Sequence, residues 1–178
     1  MNIIENYYKT IIRYDLVNKF FYMSVTKIPK FKKIVLNFGC KNHDIKTVAA
    51  ALFSLELVTT CKGSLTTSKR SNMLLKIRKG YPVGCVVVLE KMKMYNFFLK
   101  LLLEVFPNLK DFNGFSLSKR LSNNSFSFTL KDLIKFKELE KQFYLFTGLP
   151  PLNVVFITNS KSKEELTYLL NSFKVPVI

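Results

Sequence analysis

Cys85 follows Arg78 and Lys79 within the stretch Ile77-Arg78-Lys79-Gly80-Tyr81-Pro82-Val83-Gly84-Cys85. Cationic neighbours lower a thiol pKa and favour the nucleophilic thiolate. A cysteine nucleophile also needs a base within reach, and the chain carries a single histidine, His43. Cys85 opens the β-branched run Cys85-Val86-Val87-Val88-Leu89, where a free cysteine acts as a small buried apolar side chain. The core reading therefore outranks the nucleophile. Cys40 and His43 have a spacing open to metal ligation, but Cys61 and Cys85 extend no ligand pattern. No metal site and no cofactor are expected. The glycines form neither a dinucleotide fingerprint nor a phosphate-cradling loop, so nothing resembles an active site.

The basic residues say more. Lys and Arg number 28 against 12 Asp and Glu, a formal charge of +16 that opposes compaction unless a polyanion cancels it. In "TTSKRSN" and "LKIRKGYP", Lys69, Arg70, Lys76, Arg78 and Lys79 fall within eleven positions and are mixed with serine and threonine, side chains suited to phosphate and ribose oxygens. A charge run is usually a solvated face. Here the global excess favours RNA contact. An anionic membrane surface would attract the same charge, but no apolar run approaches the roughly 20 residues needed to span a bilayer.

These groups must be mounted on a folded scaffold, since 48% of the residues are hydrophobic. The 178 residues are read as one domain, 1–178, without repeat or linker. Ile3, Ile4, Tyr7, Tyr8, Ile11, Ile12, Leu16, Phe20 and Phe21 recur at helical spacing and predict one inward stripe. Alternation predicts a strand with Ile34, Leu36 and Phe38 inward and Lys33, Val35 and Asn37 outward. A short apolar helix over Lys46–Val58 precedes a threonine-rich edge strand, a long basic connection, and the interior strand through Cys85. The segment from Lys91 to Phe106 is apolar almost all round and predicts the most buried helix, stopping before Pro107. Phe126, Phe128 and Leu130 alternate in a further strand, and Leu152-Asn153-Val154-Val155-Phe156-Ile157 reads as the last. Ser162 and Glu165 form a capping box for a final helix. The predicted class is α+β, a mostly antiparallel sheet with helices packed on one face and the other face open to RNA or protein.

Four stretches, "IPKFKKIVLNFGC", "LTTSKRSNMLLKIRKGYPVGC", "FPNLKDFNGFS" and "ITNSKSKEELTYLLNSF", with "ENYYKT" near the start, stand in the order and nearly the spacing of the bacterial-type large-subunit ribosomal protein L five family. The chain resembles that family over essentially its whole length. The resemblance implies a non-enzymatic component of the central protuberance, with 5S rRNA on the open sheet face, peptidyl-site tRNA near the loop before "KIRKGYP", and a bridge to a small-subunit head protein. It implies rRNA contacts at Lys33, Asn37, Thr66, Lys69, Arg70 and Ser71. By the same likeness Met73, Leu74, Lys76, Arg78 and Lys79 occupy the tRNA-proximal loop, and Asp111, Asn113, Lys119 and Arg120 lie on the bridging side.

Departures from the family pattern fall on the RNA-facing positions. Cys61, Leu75 and Val88 stand where the family commonly has Gln, Phe and Thr, and Val155 and Ile157 replace outward threonines of the last strand. Aliphatic groups there remove hydrogen-bond and stacking partners for RNA. Two readings stay open: 5S rRNA contact is weakened or partly replaced by a neighbouring large-subunit protein, or nearby substitutions preserve it. The loop after Gly39 is also shorter than in typical bacterial members.

The expectation is thus a structural constituent of the large ribosomal subunit that binds rRNA and uses no membrane. A free basic RNA chaperone or a membrane-surface protein of the same fold is the alternative. Richness in Lys, Asn, Ile, Phe and Leu without Trp suits an AT-rich genome, and three cysteines without a CxxC suit a reducing compartment. The amphipathic start has Arg13 with Glu5 and Asp15, unlike Arg-rich, acid-poor presequences, and is read as structure made inside the organelle. Mitochondrion is the expected home, ahead of plastid or bacterial cytoplasm.

Overall fold

The computed structural model describes residues 3–40, 45–74, 76–109, 114–115 and 121–176. In chain order the elements are α1 (Ile3–Tyr7), a π-helical turn (Tyr8–Ile12), α2 (Arg13–Phe20), β1 (Phe31–Gly39), α3 (Ile45–Thr59), β2 (Ser64–Thr67) and β3 (Pro82–Glu90). There follow α4 (Lys91–Lys100), a second π-helical turn (Leu101–Val105), α5 (Phe106–Asn108), β4 (Ser125–Leu130), α6 (Lys137–Glu140), α7 (Phe143–Phe146), β5 (Leu152–Thr158) and α8 (Lys163–Ser172). The strands form one five-stranded antiparallel sheet in the order β2-β3-β1-β5-β4, an α+β fold. β2 is an edge strand and β3 an interior one, as the threonine-rich and valine-rich compositions predict.

The chain divides into two compact units. One comprises residues 1–34, 90–128 and 155–178, the other residues 35–89 and 129–154.

In the first unit the buried residues of the N-terminal helical run are Ile4, Tyr8, Ile12 and Leu16. That spacing is four residues throughout. On a pure α-helix of 3.6 residues per turn such a stripe drifts about 40° per step around the axis. The π-helical turn at Tyr8–Ile12 is wider and absorbs part of that drift. The stripe is narrower than the sequence predicts, because Ile3, Ile11 and Phe21 are exposed. Tyr8 anchors it by donating its hydroxyl to the Pro29 carbonyl at 2.9 Å.

A phenylalanine core fills the same unit. Phe31, Phe98, Phe156 and Phe173 pack with ring centroids 5.0 to 5.5 Å apart, and Phe115 meets Phe128 at 4.6 Å. Each such ring contributes roughly 1.5–3 kcal/mol of burial. The helix from Lys91 departs from expectation in two ways. It is one-sided, burying Met94, Phe97, Phe98, Leu101, Val105 and Phe106 while Met92 and Leu103 face solvent. It also runs past Pro107, which sits in the first turn of α5 just after the π-helical turn, where a missing N–H is tolerated. The cap forms with one shift: Ser162 Oγ accepts from the Glu165 amide at 3.2 Å as the capping box requires, but Glu165 accepts from the amide of Lys161, one residue before the N-cap, at 2.8 Å.

In the second unit Leu36 and Phe38 of β1, Cys85, Val87 and Leu89 of β3, and Leu152 and Val154 of β5 are buried on the inward side. Val48, Ala51, Leu55 and Val58 supply the α3 stripe. Leu133, Phe136, Leu139 and Phe146 complete the core, and Phe53 stacks on Phe146 at 6.0 Å.

Candidate nucleic-acid interface

Cys85 is part of the core. It is fully buried, and burial first, then the nearby Cys40 thiol, pushes its pKa up to about 12. A thiol so disfavoured as an anion is not a nucleophile. The sequence-adjacent cations Arg78 and Lys79 are exposed on the preceding loop.

That loop is ordered into an extended hairpin on β2 and β3. At its neck the Ser68 amide donates to the Tyr81 carbonyl at 2.9 Å, and the Gly80 amide to the Ser68 carbonyl at 2.8 Å. Gly80 has φ +86°, a conformation costly to any residue with a Cβ. Beyond the neck, Asn72 and Ile77 pair through both backbone bonds, and Asn72 Oδ1 accepts from the Leu74 amide at 3.0 Å. The tip carries Met73 and Leu74, 96% and 95% exposed. Lys69, Arg70, Ser71, Lys76, Arg78 and Lys79 are all exposed along the hairpin. The fold thus gathers most of the basic residues singled out in the sequence onto one protrusion.

At the base of the hairpin lies the outward side of the same unit's strands. Thr66 pairs with Gly84, and Ser64 with Val86. A Cβ on Gly84 would collide with the Phe38 carbonyl oxygen and press on Thr66 Oγ1, so glycine is required for β1 and β3 to approach under Thr66. Asn37 of β1 is exposed, as is Val88 of β3 at 49%, while Val35 and Val86 are half-buried. This surface mixes an amide and hydroxyls with aliphatic groups. Such a surface binds by shape and a few polar contacts. Cys61 is half-buried in the turn after α3, its amide donating to Thr59 Oγ1 at 3.3 Å.

Lys33, Val155 and Ile157 belong to the other unit. Val155 and Ile157 are half-buried at alternate positions of β5, with Val154, Phe156 and Thr158 fully buried between and beside them. Lys33 lines a cleft of about 740 Å³ beside α1, α2 and α4. That cleft also gathers Lys9, Arg13, Lys30, Lys32 and Lys91, none of which the sequence reading singled out. The dense "KIPKFKK" stretch was the available signal. Leu75, Asp111, Asn113, Lys119 and Arg120 lie outside the described residues. Among the described residues no group of His, Cys, Asp and Glu is placed to hold a metal ion, and no helix is long and apolar enough to cross a membrane.

The family model for the C-terminus of the ribosomal protein L five family matches residues 82–177. A relative in Reclinomonas americana, "Large ribosomal subunit protein uL5m", is 36% identical over 99% of this chain and 98% of its own length. The chain belongs to the uL5 family of large-subunit ribosomal proteins. Bacterial members match as fully: the uL5 of Nitrosomonas eutropha is 34% identical over 96% of each chain, and that of Blochmanniella floridana 30% identical over 98% of this chain and 92% of its own. As a uL5 protein the chain is a structural, non-enzymatic part of the large ribosomal subunit, with rRNA and ribosomal proteins as partners.

Proposed function

We infer that this uL5 protein works in a mitochondrial ribosome, the similarity to the Reclinomonas uL5m being the support for that compartment. In this reading residues 1–178 act as one domain. Asn37, Thr66, Lys69, Arg70 and Ser71, together with Lys33, contact rRNA, the 5S species in particular. Met73, Leu74, Lys76, Arg78 and Lys79 approach peptidyl-site tRNA from the tip of the hairpin. Asp111, Asn113, Lys119 and Arg120 serve a bridge to a small-subunit head protein.

The observation that carries this reading is the ordered hairpin with its exposed cations and two nearly fully exposed apolar side chains at the tip. Backbone pairing holds the cations on a rigid arm, so little ordering entropy is lost when phosphates bind. The Lys69→Ala, Arg70→Ala double variant should enter large subunits poorly while keeping its unfolding midpoint. Undiminished co-sedimentation with large subunits would count against the arm. The same sedimentation separates a ribosomal component from a free RNA chaperone or membrane-surface protein, which would remain in the light fractions or with vesicles.

A second reading concerns what covers the outward side of β3. Val88 is half exposed and Val35 and Val86 are partly so, an apolar strip that RNA satisfies poorly and a neighbouring large-subunit protein satisfies well. Val88→Thr restores a hydroxyl at that place. If a protein covers the strip, this change weakens incorporation and leaves 5S rRNA content unaltered. A rise in 5S rRNA retention on the same change would instead favour RNA as its cover.

A further inference from the structure

We propose that the cleft between α1, α2, the start of β1 and α4 is a second RNA site, separate from the hairpin, which takes an extruded or bulged nucleotide with its flanking phosphates. The inference rests on the reading of this chain as an rRNA-binding protein but concerns a surface that shares only Lys33 with the contacts proposed above, and a different RNA shape.

Six basic side chains line the cleft: Lys9, Arg13, Lys30, Lys32, Lys33 and Lys91. Two acidic ones, Glu5 and Glu90, accompany them. Glu5 is engaged by Lys9 at 2.6 Å, so one acid is already answered within the wall. The remaining excess of cations is held around a concavity, where field lines from like charges converge and attract an anion more strongly than on a convex face. These cations come from three separate stretches of chain, and packing of the unit's core brings them to one place.

The walls are firm. Tyr8 is tied to the Pro29 carbonyl, and Asn159 holds the chain before β1 by accepting from the Lys30 amide at 2.7 Å and donating to the Ile28 carbonyl at 3.2 Å. At the opposite wall Lys91 has φ +50°, a left-handed conformation that costs a residue with a Cβ. Glu90, at the N-cap of α4, makes no side-chain cap bond, which leaves the first-turn amides without a side-chain acceptor beside the cationic wall.

Size and chemistry select the ligand. About 740 Å³ lies within the range of pockets that hold small organic molecules, a size matched to a nucleotide. Half-buried Tyr95, with the exposed apolar side chains of Val25 and Met92, gives the surface for a base or ribose, while the lysines around it suit the phosphodiester on either side. A lipid bilayer presents a broad, flat array of headgroups, which fits a convex basic face better than a concave one.

The test uses the purified full chain and two labelled RNAs, a blunt 12-base-pair duplex and the same duplex with a three-nucleotide bulge. The expected result is preference for the bulged RNA. The triple variant Lys30→Gln, Lys32→Gln, Lys91→Gln should lose that preference, bind the bulged RNA at least about tenfold more weakly at 0.1 M salt, and show a salt slope shallower by about 2. All three side chains are exposed, so the unfolding midpoint should hold, and the matching arginine variant should restore binding. The Lys69→Ala, Arg70→Ala variant should keep the bulge preference. Equal binding of both RNAs by the unmodified chain, or an unaltered preference in the triple variant, overturns the cleft as a nucleotide site. So does a triple variant that loses binding to phosphatidylserine vesicles but not to RNA. Ribosome incorporation plays no part in this readout, so failure of the cleft and failure of the hairpin reading are told apart.

Discussion

Asn72 and Ile77 face each other across the hairpin, with the Asn72 amide 2.9 Å from the Ile77 carbonyl and the Ile77 amide 3.0 Å from the Asn72 carbonyl. This reciprocal pair closes a four-residue tip and decides where Met73 and Leu74 project. The Asn72 side chain adds a third restraint by accepting from the Leu74 amide. A stiff arm rather than a loose loop presents the cations.

Asn72→Ala removes the side-chain acceptor and keeps the backbone pair. The expected cost to global stability is under about 1 kcal/mol, since the bond is exposed. Hydrogen exchange at Leu74 should quicken several-fold while core amides are unaffected. Unchanged exchange at Leu74 would show that the side chain does not order the tip.

Gly80→Ala places a Cβ on a residue at φ +86° next to the hairpin neck. Destabilisation of about 1 kcal/mol is expected from the backbone conformation alone, because nothing lies within 4 Å of the added carbon. Gly84→Ala should be worse, about 1–3 kcal/mol or more, because its Cβ meets the backbone carbonyl of Phe38 rather than a yielding side chain. Denaturant midpoints compared under one protocol rank the two. The opposite order would mean that β1 and β3 separate easily at Thr66.

Cys85 should report on folding through pH. Its pKa is raised by burial and by Cys40 from an ordinary 9.0 to about 12. The folded thiol therefore keeps its proton where the unfolded thiol has lost it. The folded state binds more protons between about pH 9 and 12, so its stability falls as pH rises through that window and is fully present below it. Cys85→Ala should lessen the alkaline decline in stability without abolishing it, because burial also raises the pKa values of Tyr8, to about 12, and of Tyr22, Tyr95 and Cys40. At pH 8 in the native state, alkylation should reach half-buried Cys61 before Cys40 or Cys85.

β1, β4 and β5 each begin in one compact unit and end in the other. With β3, whose last residue Glu90 also crosses over, four strands are shared in this way and neither unit is a contiguous chain of its own. One coincident transition by fluorescence and circular dichroism is the expected outcome of thermal unfolding. Two separated transitions would divide the domain.

Much of this was legible in the chain because it depends on neighbours a few residues apart. Alternation marked Ile34, Leu36 and Phe38 as inward and Asn37 as outward, and all four follow that pattern. The serine and glutamate of the last helix announced their cap, and the basic stretch from Lys69 to Lys79 announced an exposed cationic segment. Nine apolar residues at helical spacing in the N-terminal run do not reveal that only Ile4, Tyr8, Ile12 and Leu16 are buried. The helix after Lys91 looked apolar all round for the same reason. Its composition does not say that Met92 and Leu103 have no partner surface to cover them.

From the order of residues alone came the α+β class, the membership signalled by its motifs, the surplus of positive charge and the buried character of Cys85. Local periodicity, capping and turn chemistry are short-range properties and are written directly in sequence. Tertiary structure alone decided the strand order and the gathering of Lys9, Arg13, Lys30 and Lys91 around one cleft. Those outcomes arise from packing between segments far apart along the chain, where burying apolar surface outweighs any local preference and carries the charged side chains to wherever the core leaves them.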